Sequence, residues 1–373
     1  MYIAKQLSLL SMVALLAAGC TVDDASGGVQ QPAEPPHAAG TPVVVVPVVG
    51  DGGTRAAMTT DATFAEFRMW GFQGTSDLTD GGAAFTKSAT ASAWSGDKTF
   101  YWIDGQTHQF FGVSPYGAVS GASVTASAQS FDYTVPTAND AQQDLLVSSL
   151  LTQEKTADGT LSLPFRHALS TVLLKAKTTT DLAFDIHSIT LCNIKNGGTF
   201  TFSPSVDCTE TEGAAIGSWT DNDATARASY GITLAADVTL TKAAAATITT
   251  LDGPQLILLR PQTVSKWDVT AATVTPATDP SQTGGYVAVE CKIRTTGASP
   301  AYYGGSSASS YATVYFPLGF TMDMHKKYTL SLDFDKCRRA DGSPVLSAVV
   351  VEPSLTATVS SWDSSAGETV ITL

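Results

Sequence analysis

Basic residues are scarce in this 373-residue sequence, where 21 Lys and Arg stand against 34 Asp and Glu for a formal net charge of −13. Binding to nucleic acid needs cations clustered against phosphate, and the only such neighbours are Lys326-Lys327 and Arg338-Arg339. That class is excluded, and the acidity serves solubility. The motifs of common enzymes are missing too: there is no G-x-S-x-G, no H-E-x-x-H, no P-loop and no dinucleotide glycine fingerprint. The five histidines, His37, His108, His167, His187 and His325, are scattered with none at metal-ligand spacing, and His167 in "FRHAL" reads as packing at a strand boundary. "DNDATA" at 221–226 has half of a calcium loop but lacks its turn glycine and distal Glu, so it reads as a solvated turn. No catalytic, cofactor or metal site is therefore expected. Long hydrophobic runs are absent as well, since the apolar stretch at 7–18 is too short for a permanent membrane span. No long stretch keeps a helical period, which removes helix bundles and parallel α/β sheets.

What is present begins with an export signal. In "MYIAKQLSLLSMVALLAAGC", Lys5 precedes the apolar run, and residues 1–20 read as a lipoprotein signal peptide. Ala17, Ala18 and Gly19 resemble a lipobox, which predicts cleavage before Cys20 and lipid on its thiol, although leucine is commoner where Ala17 stands. The alternative is an ordinary signal cleaved after Gly19. With Cys20 committed to lipid, Cys192, Cys208, Cys291 and Cys337 remain, and none sits in a C-x-x-C pair. They fit either buried thiols or bridges, including a Cys192–Cys208 link, and the sequence does not choose among the pairings. Residues 21–42, rich in Pro, Ala and Gly, have little to bury and read as an extended tether.

Strand signals dominate the rest. "FAEFRMWGFQG", "KTFYWI", "HQFFGVSPYG", "SFDYTV", "QLILLRPQ" and "YVAVECKIRT" are short apolar runs separated by Gly, Ser, Asp, Thr and Pro clusters. The pattern predicts an all-β sandwich. Length favours two domains over one, and the polar turn "TQEKTADGT" at 152–160 places their boundary, giving an N-terminal unit at 56–157 and a C-terminal unit at 158–373. Trp70, Trp94, Tyr101, Trp102, Phe110 and Phe111 read as core, with an exposed sugar platform as the alternative. Tyr302, Tyr303 and Tyr311 flank the loop "YYGGSSASS" and offer a contact surface for a host ligand.

Several fragments in order carry a family resemblance. They are the lipobox at Cys20, "TRA" at 54–56, "FRMWGFQG" at 67–74, "YW" at 101–102, "FFGVSPY" at 110–116, "QQDLLVSS" at 142–149, "LPFRHALSTV" at 163–172, "LCNIKNGGTFTF" at 191–202, "ILLRPQ" at 257–262, "KKYTLSLDF" at 326–334 and "VSSW" at 359–362. Together they resemble the fimbrillin family of Bacteroidetes, the Mfa-like fimbrial subunits, and Asp23-Asp24 resembles the acidic surface-export signal of Bacteroidetes lipoproteins. The resemblance implies two transthyretin-like β-sandwich domains in tandem, lipoprotein export, cleavage by a trypsin-like protease after an N-terminal arginine, and assembly by strand exchange.

Carried onto this chain, the cut falls between Arg55 and Ala56, Arg55 being the only arginine in the first 67 residues. The β-branched run "VVVVPVV" at 43–49 would then be a removable strand filling a groove of the N-terminal sandwich, and "GDGG" would present Arg55 to the protease. Pro47 cannot donate to a ladder, so this strand belongs at an edge. Its loss exposes backbone that another chain fills by β-augmentation. The donor candidate is the tail at 345–373, where Leu355, Ala357 and Val359 share one side of a strand and Ile371 and Leu373 continue in the same alternation. The tail also reads as the last strands of the C-terminal sandwich, and Arg55 as an uncut surface residue.

The expected function is thus a non-enzymatic fimbrial subunit, of the shaft rather than the anchor or tip. It starts as an outer-membrane lipoprotein precursor and ends in a cell-surface fimbrium. Its expected partners are other fimbrial subunits, a trypsin-like maturation protease, the outer membrane through the lipid, and a host glycan or protein ligand. The competing expectation is an uncleaved, monomeric glycan-binding outer-membrane lipoprotein.

Overall fold

Alternation with a period of two shapes several strands of the chain. In Thr160–His167, for instance, Leu161, Leu163, Phe165 and His167 are buried while Ser162 is exposed. The computed structural model describes residues 40–49, 63–88, 93–148, 150–203, 216–222, 226–242, 246–247, 257–267, 284–304, 310–337, 356–361 and 369–372. Among these residues there are strands, three single-turn 3-10 segments and no α-helix, so the protein is all-β.

Sheet one contains β1 (Val44–Val49), β2 (Glu66–Gln73), β3 (Ser76–Asp77), β4 (Ala83–Lys87), β5 (Trp94–Gly96), β6 (Thr107–Ser114), β9 (Leu146–Ser148), β10 (Leu151–Glu154) and β11 (Thr160–His167). Their order is β1-β11-β9-β6-β2-β4-β5, with β3 on β2 and β10 on β6. Sheet two joins β12 (Ser170–Lys177), β17 (Ala246–Thr247), β18 (Ile257–Leu259), β24 (Lys326–Asp333), β25 (Thr356–Ser361) and β26 (Thr369–Thr372). It runs β17-β12-β24-β25-β26, with β18 also on β12. Sheet three holds β13 (Leu182–Ile194), β16 (Ala228–Leu240), β20 (Gly285–Thr295), β21 (Tyr302–Gly304) and β22 (Ala312–Leu318), in the order β16-β13-β20-β21 with β22 on β20. Sheet four is β15-β14-β8-β7, from β7 (Ser120–Val124), β8 (Gln129–Thr134), β14 (Gly197–Phe202) and β15 (Gly217–Thr220). A ribbon of β19 (Gln262–Val264) and β23 (Phe320–Met322) completes the set.

The central strands β2 and β6 of sheet one bury side chains on both faces, successive residues pointing to opposite sides. Trp70, Phe72, Phe111 and Val113 join a core shared with sheet four, where the rings of Phe111 and Phe202 lie 4.9 Å apart. Phe67, Met69, Phe110, Leu161, Leu163 and Phe165 belong to a second core on the other face. Of the aromatic residues weighed as a sugar platform, Trp70 and Phe111 are buried in the first core and Trp102 and Phe110 in the second, Trp94 packs half-buried against the second, and Tyr101 is half-buried outside both. The first core continues between sheets two and three, where Phe334 packs on Phe184 at 4.8 Å and on Phe316 at 5.1 Å.

The polar turn at 152–160 is present, yet β11, which lies beyond the expected 157/158 boundary, hydrogen-bonds in sheet one beside β1 and β9. The chain passes from β11 into β12 through Ala168 and Leu169, both fully buried. Three bonds brace this joint: Ala168 N donates to Leu145 O at 2.8 Å, Trp219 Nε1 to Ala168 O at 3.0 Å, and His325 N to Leu169 O at 3.0 Å. His167 packs there as expected, its Nδ1 lying 2.8 Å from Asp144 Oδ2. Cys192, Cys291 and Cys337 are all buried, while Cys208 lies outside the described residues.

Candidate functional site

The run of valines forms β1 and lies at the edge of sheet one, paired in parallel with β11 from Val44 opposite Thr160 to Val49 opposite Phe165. Residues just before it are held from the other side. Trp102 N donates to Thr41 O at 2.9 Å, Val43 N donates to Phe100 O at 3.0 Å, and Pro42 bridges Tyr101. The segment 41–49 is thus stitched first to the 100–102 stretch and then to β11. Gly159 is the pivot between them, its carbonyl accepting from Val44 N at 3.0 Å and from Trp102 Nε1 at 2.8 Å. Its φ of +75° suits glycine, and a Cβ there would come within 2.8 Å of both Pro42 O and Thr41 Cγ2.

Side-chain alternation fixes how β1 is seated. Val45 is 7% exposed and belongs to the second core with Phe100, Trp102, Leu161 and Leu163, whereas Val44 and Val46 are 50% and 44% exposed. Pro47 is also buried. Because Val44 N points at β11, a parallel ladder aims the N–H groups of Val46 and Val48 the same way and leaves the ring nitrogen of Pro47 on the outward edge. The same alternation directs the amides of Leu161, Leu163 and Phe165 at β1 and turns Pro164 away, so neither proline costs the ladder a bond.

The wall beside β1 contains His108, fully buried, with Nε2 accepting from Ile103 N at 3.2 Å and its ring edge-on to Trp102 at 5.0 Å. Burial pushes the His108 imidazole below its ordinary value of 6.5, against backbone hydrogen bonds at Gln106 and Gln153 that act the other way. Lys155 reaches Thr41 Oγ1 at 3.3 Å and Asp104 at 2.5 Å, but Asp104 is 79% exposed, so this ion pair adds little.

The other sequence-derived positions fall apart from this groove. Cys20, Arg55, Ala56, Leu355 and Leu373 lie outside the described residues. Ala357 and Val359 stand in β25, opposite Leu330 and Tyr328 of β24, and Ile371 stands in β26 opposite Ala357. In the protein's own sheet two, then, the tail forms the terminal hairpin. Tyr302 and Tyr303 are exposed on β21, while Tyr311 is tied to Asp237 at 3.0 Å. Among the described residues no group of three or more His, Cys, Asp or Glu is placed to hold a metal, and no helix is long and apolar enough to cross a membrane. The groove lining of Phe100, Trp102, His108 and Gly159 is not legible in the local sequence. The "ADGT" turn is its one local signal.

An edge strand seated over a groove is one observation; the family comparison is another. The Fimbrillin-like family matches residues 54–362, more than four-fifths of the chain. The chain belongs to the fimbrillin-like family. No curated protein matches. Among solved structures, a candidate cell adhesion protein from Parabacteroides distasonis is similar at 10% identity and a TM-score of 0.48, covering 88% of this chain and 99% of that one. A candidate cell adhesion protein from Bacteroides ovatus shows 14% identity and a TM-score of 0.44 over 87% of this chain and 98% of its own. A fimbrial assembly protein from Parabacteroides distasonis shows 8% identity and a TM-score of 0.36 over 89% and 98%. The assignment rests on the family match, and membership makes this fimbrillin-like chain a structural protein rather than an enzyme. The match opens at residue 54, so β1 precedes it.

Proposed function

We propose that this protein is a structural subunit of a cell-surface adhesive fimbria, exported as a lipoprotein on Cys20, cut after Arg55, and polymerised by a donor strand entering the groove of β1. The seating of β1 carries this reading. It is an edge strand paired to one neighbour, with Val45 buried, Val44 and Val46 exposed, and a proline whose missing donor faces outward. Ordering its six residues costs on the order of 6–12 kcal/mol. Burying Val45 and Pro47 and making the ladder bonds returns a similar amount, at about 1.5–3 kcal/mol per large apolar side chain and about 0.5–1.5 kcal/mol per bond. With the two sides this close, covalent attachment to β2 is what keeps the strand home, through its effective concentration. A cut after Arg55 removes that attachment.

A strand from a sister molecule with more buried side chains would then outcompete β1. The tail supplies the candidate, its terminal hairpin exchanging the β24 edge of its own sheet two for the β11 edge of a neighbour. Within this reading the two sandwiches are sheet one with sheet four and sheet two with sheet three, joined where β11 passes through Ala168 and Leu169 into β12.

The test is limited trypsin digestion of the purified full-length precursor, followed by mass spectrometry and electrophoresis with and without boiling. One N-terminal cut after Arg55 and heat-resistant ladders are expected, and Arg55→Gln should abolish both. An intact monomer, or scattered fragmentation without ladders, refutes the proposal and favours an uncleaved surface binder.

A further inference from the structure

Phe72, Trp70 and Arg68 follow one another along the face of β2 that meets sheet four, the first two buried in the first core and Arg68 half-buried at its rim. Arg68 stands opposite Val113 of β6, another residue of that core. Its guanidinium lies over the ring of Tyr116, 4.2 Å from the centroid, and Tyr116 in turn meets the Trp70 ring at 5.5 Å, near edge-on. Acidic side chains outnumber Lys and Arg by 34 to 21 in this chain, so a carboxylate is the expected neighbour of an arginine. Among the described residues, none stands within ion-pair or hydrogen-bond reach of Arg68.

Two neighbouring side chains there keep donors that no described residue answers. Arg68 Nε is enclosed without an acceptor, whereas buried polar groups ordinarily pair, and the terminal Nη1 and Nη2 are likewise unpartnered but open to solvent. Trp70 Nε1 also reaches solvent with no partner, at the edge of an otherwise buried ring. The two side chains converge beside Gly82, the residue before β4. A Cβ there would stand 2.8 Å from Trp70 Nε1 and 3.1 Å from Arg68 Cδ, and its φ of +99° suits glycine.

The corner is rigid on its own. Asp77 holds the loop leading to Gly82, its Oδ1 accepting from Thr79 N at 2.8 Å and Thr79 Oγ1 at 2.7 Å and its Oδ2 from Gly81 N at 2.7 Å. Lys98 Nζ closes the same loop by donating to Thr79 O at 2.9 Å and to Asp80 O at 2.6 Å. The Asp77 carboxylate is thus spent on its own loop, and the charge of Arg68 stays unanswered while its stem is held between Gly82 and Tyr116. A planar guanidinium fixed in this way presents its terminal fork to a carboxylate with little left to order. Guanidinium and indole nitrogens only donate, so the corner suits a carboxylate with a peptide carbonyl beside it. A sugar ring would bring hydroxyls that need acceptors as well, and Tyr116 already carries the guanidinium on its face.

We infer that this corner receives an acidic side chain, Asp or Glu, of another polypeptide chain, with Arg68 Nη1 and Nη2 taking the carboxylate and Trp70 Nε1 a backbone carbonyl next to it. The inference stands whether or not the chain is cut after Arg55. It is tested on the full-length, uncleaved protein labelled with nitrogen-15, through the indole N–H resonances of its six tryptophans; the signal that disappears in Trp70→Phe is the reporter. The probes are N-acetyl-glutamate N-methylamide, its glutamine counterpart and glucuronate. The glutamate probe should move the Trp70 signal saturably, and the glutamine probe should bind at least about tenfold more weakly, the loss of one charge-assisted contact. Arg68→Gln should weaken the glutamate probe by a similar factor, Arg68→Lys, which keeps the charge but not the fork, should fall between, and Lys242→Gln, at an exposed pair with Asp181, should change nothing. Thermal melts establish that each variant folds. Adding unlabelled protein separates two sources of the carboxylate: movement of the Trp70 signal assigns it to a sister copy, and a signal that answers the glutamate probe alone assigns it to a different polypeptide. No movement with the glutamate probe, or equal movement in Arg68→Gln, overturns the site. Glucuronate binding more tightly than the glutamate probe overturns the assignment to a polypeptide.

Discussion

Replacing Val45 by alanine should open the β1 groove without unfolding the protein. The side chain is 7% exposed, and the substitution deletes two methyl groups from the second core. At about 0.8 kcal/mol per buried methylene-sized group plus a cavity contribution, the docked strand loses about 2 kcal/mol. That raises the population in which β1 has left about thirtyfold. The reporters are the amides of Leu161, Leu163 and Phe165, which the parallel register directs at β1. Native-state hydrogen exchange on the uncleaved precursor should show these amides exchanging about thirtyfold faster, the same free-energy change read as a rate ratio. Amides of Val287 and Val289 in β20, a central strand of sheet three, should keep their wild-type rates. If the β11 and β20 amides accelerate together, β1 departs only on global unfolding and a separately openable groove does not exist. If neither set changes, Val45 is not what holds the strand.

Gly159→Ala attacks the same strand from its pivot. The φ of +75° and the 2.8 Å approaches to Pro42 O and Thr41 Cγ2 predict a loss of about 1–3 kcal/mol, seen as faster exchange at Leu161 and quicker tryptic cutting at Arg55. Acid should loosen the groove wall as well. His108 is held below its ordinary 6.5, so the unfolded chain binds its proton more readily; the His108 contribution is complete above about pH 6.5 and is lost as the pH falls through that value toward the folded value. Trp102 fluorescence and precursor stability measured from pH 7.5 to 5 should fall in parallel, and His108→Gln should flatten that segment of the profile.

How far these features can be read from the sequence depends on how local their causes are. The all-β class is legible because strand residues alternate and turns carry Gly, Pro, Asp and Ser, and β1 is legible to within a residue because Pro47 and the valines mark an edge strand. The turn at 152–160 is equally local, since Asp158 Oδ1 accepts from Thr160 N at 3.0 Å and Gly159 supplies the positive φ. The placement of β11, the strand after that turn, is not local. Leu161, Leu163 and Phe165 alternate as they would in either sandwich, and it is pairing with β1 and β9 that places β11 in sheet one. Arg260 and Asp221 show the same limit: "ILLRPQ" and "DNDATA" look like a strand end and a solvated turn, and their 2.5 Å contact joins the residue after β18 to the residue after β15 across 39 positions of sequence. Gly198, where a Cβ would lie 2.9 Å from Arg260 Nη1, records that packing in a residue that reads locally as strand punctuation.

Topology also bears on how a subunit of this form would carry load in the proposed fibre. A strand seated in the groove pulls on β11, and β11 continues covalently through Ala168 and Leu169 into β12. β12 lies parallel to β24 over seven register pairs, Thr171 with Lys327 through Lys177 with Asp333. β24 then leads toward the tail that would enter the next molecule. Tension along the fibre therefore crosses two ladders, groove strand on β11 and β12 on β24, and in both the pull runs along the strands. Such loading strains all the ladder bonds at once rather than unzipping them singly, so the barrier to separation is set by the whole register. The buried joint at Ala168 and Leu169, braced by Leu145, Trp219 and His325, keeps the two ladders in line. A subunit whose groove strand and tail hung from unconnected sheets would instead transmit the same tension through side-chain packing, which yields at lower force because no hydrogen-bond register spans the gap.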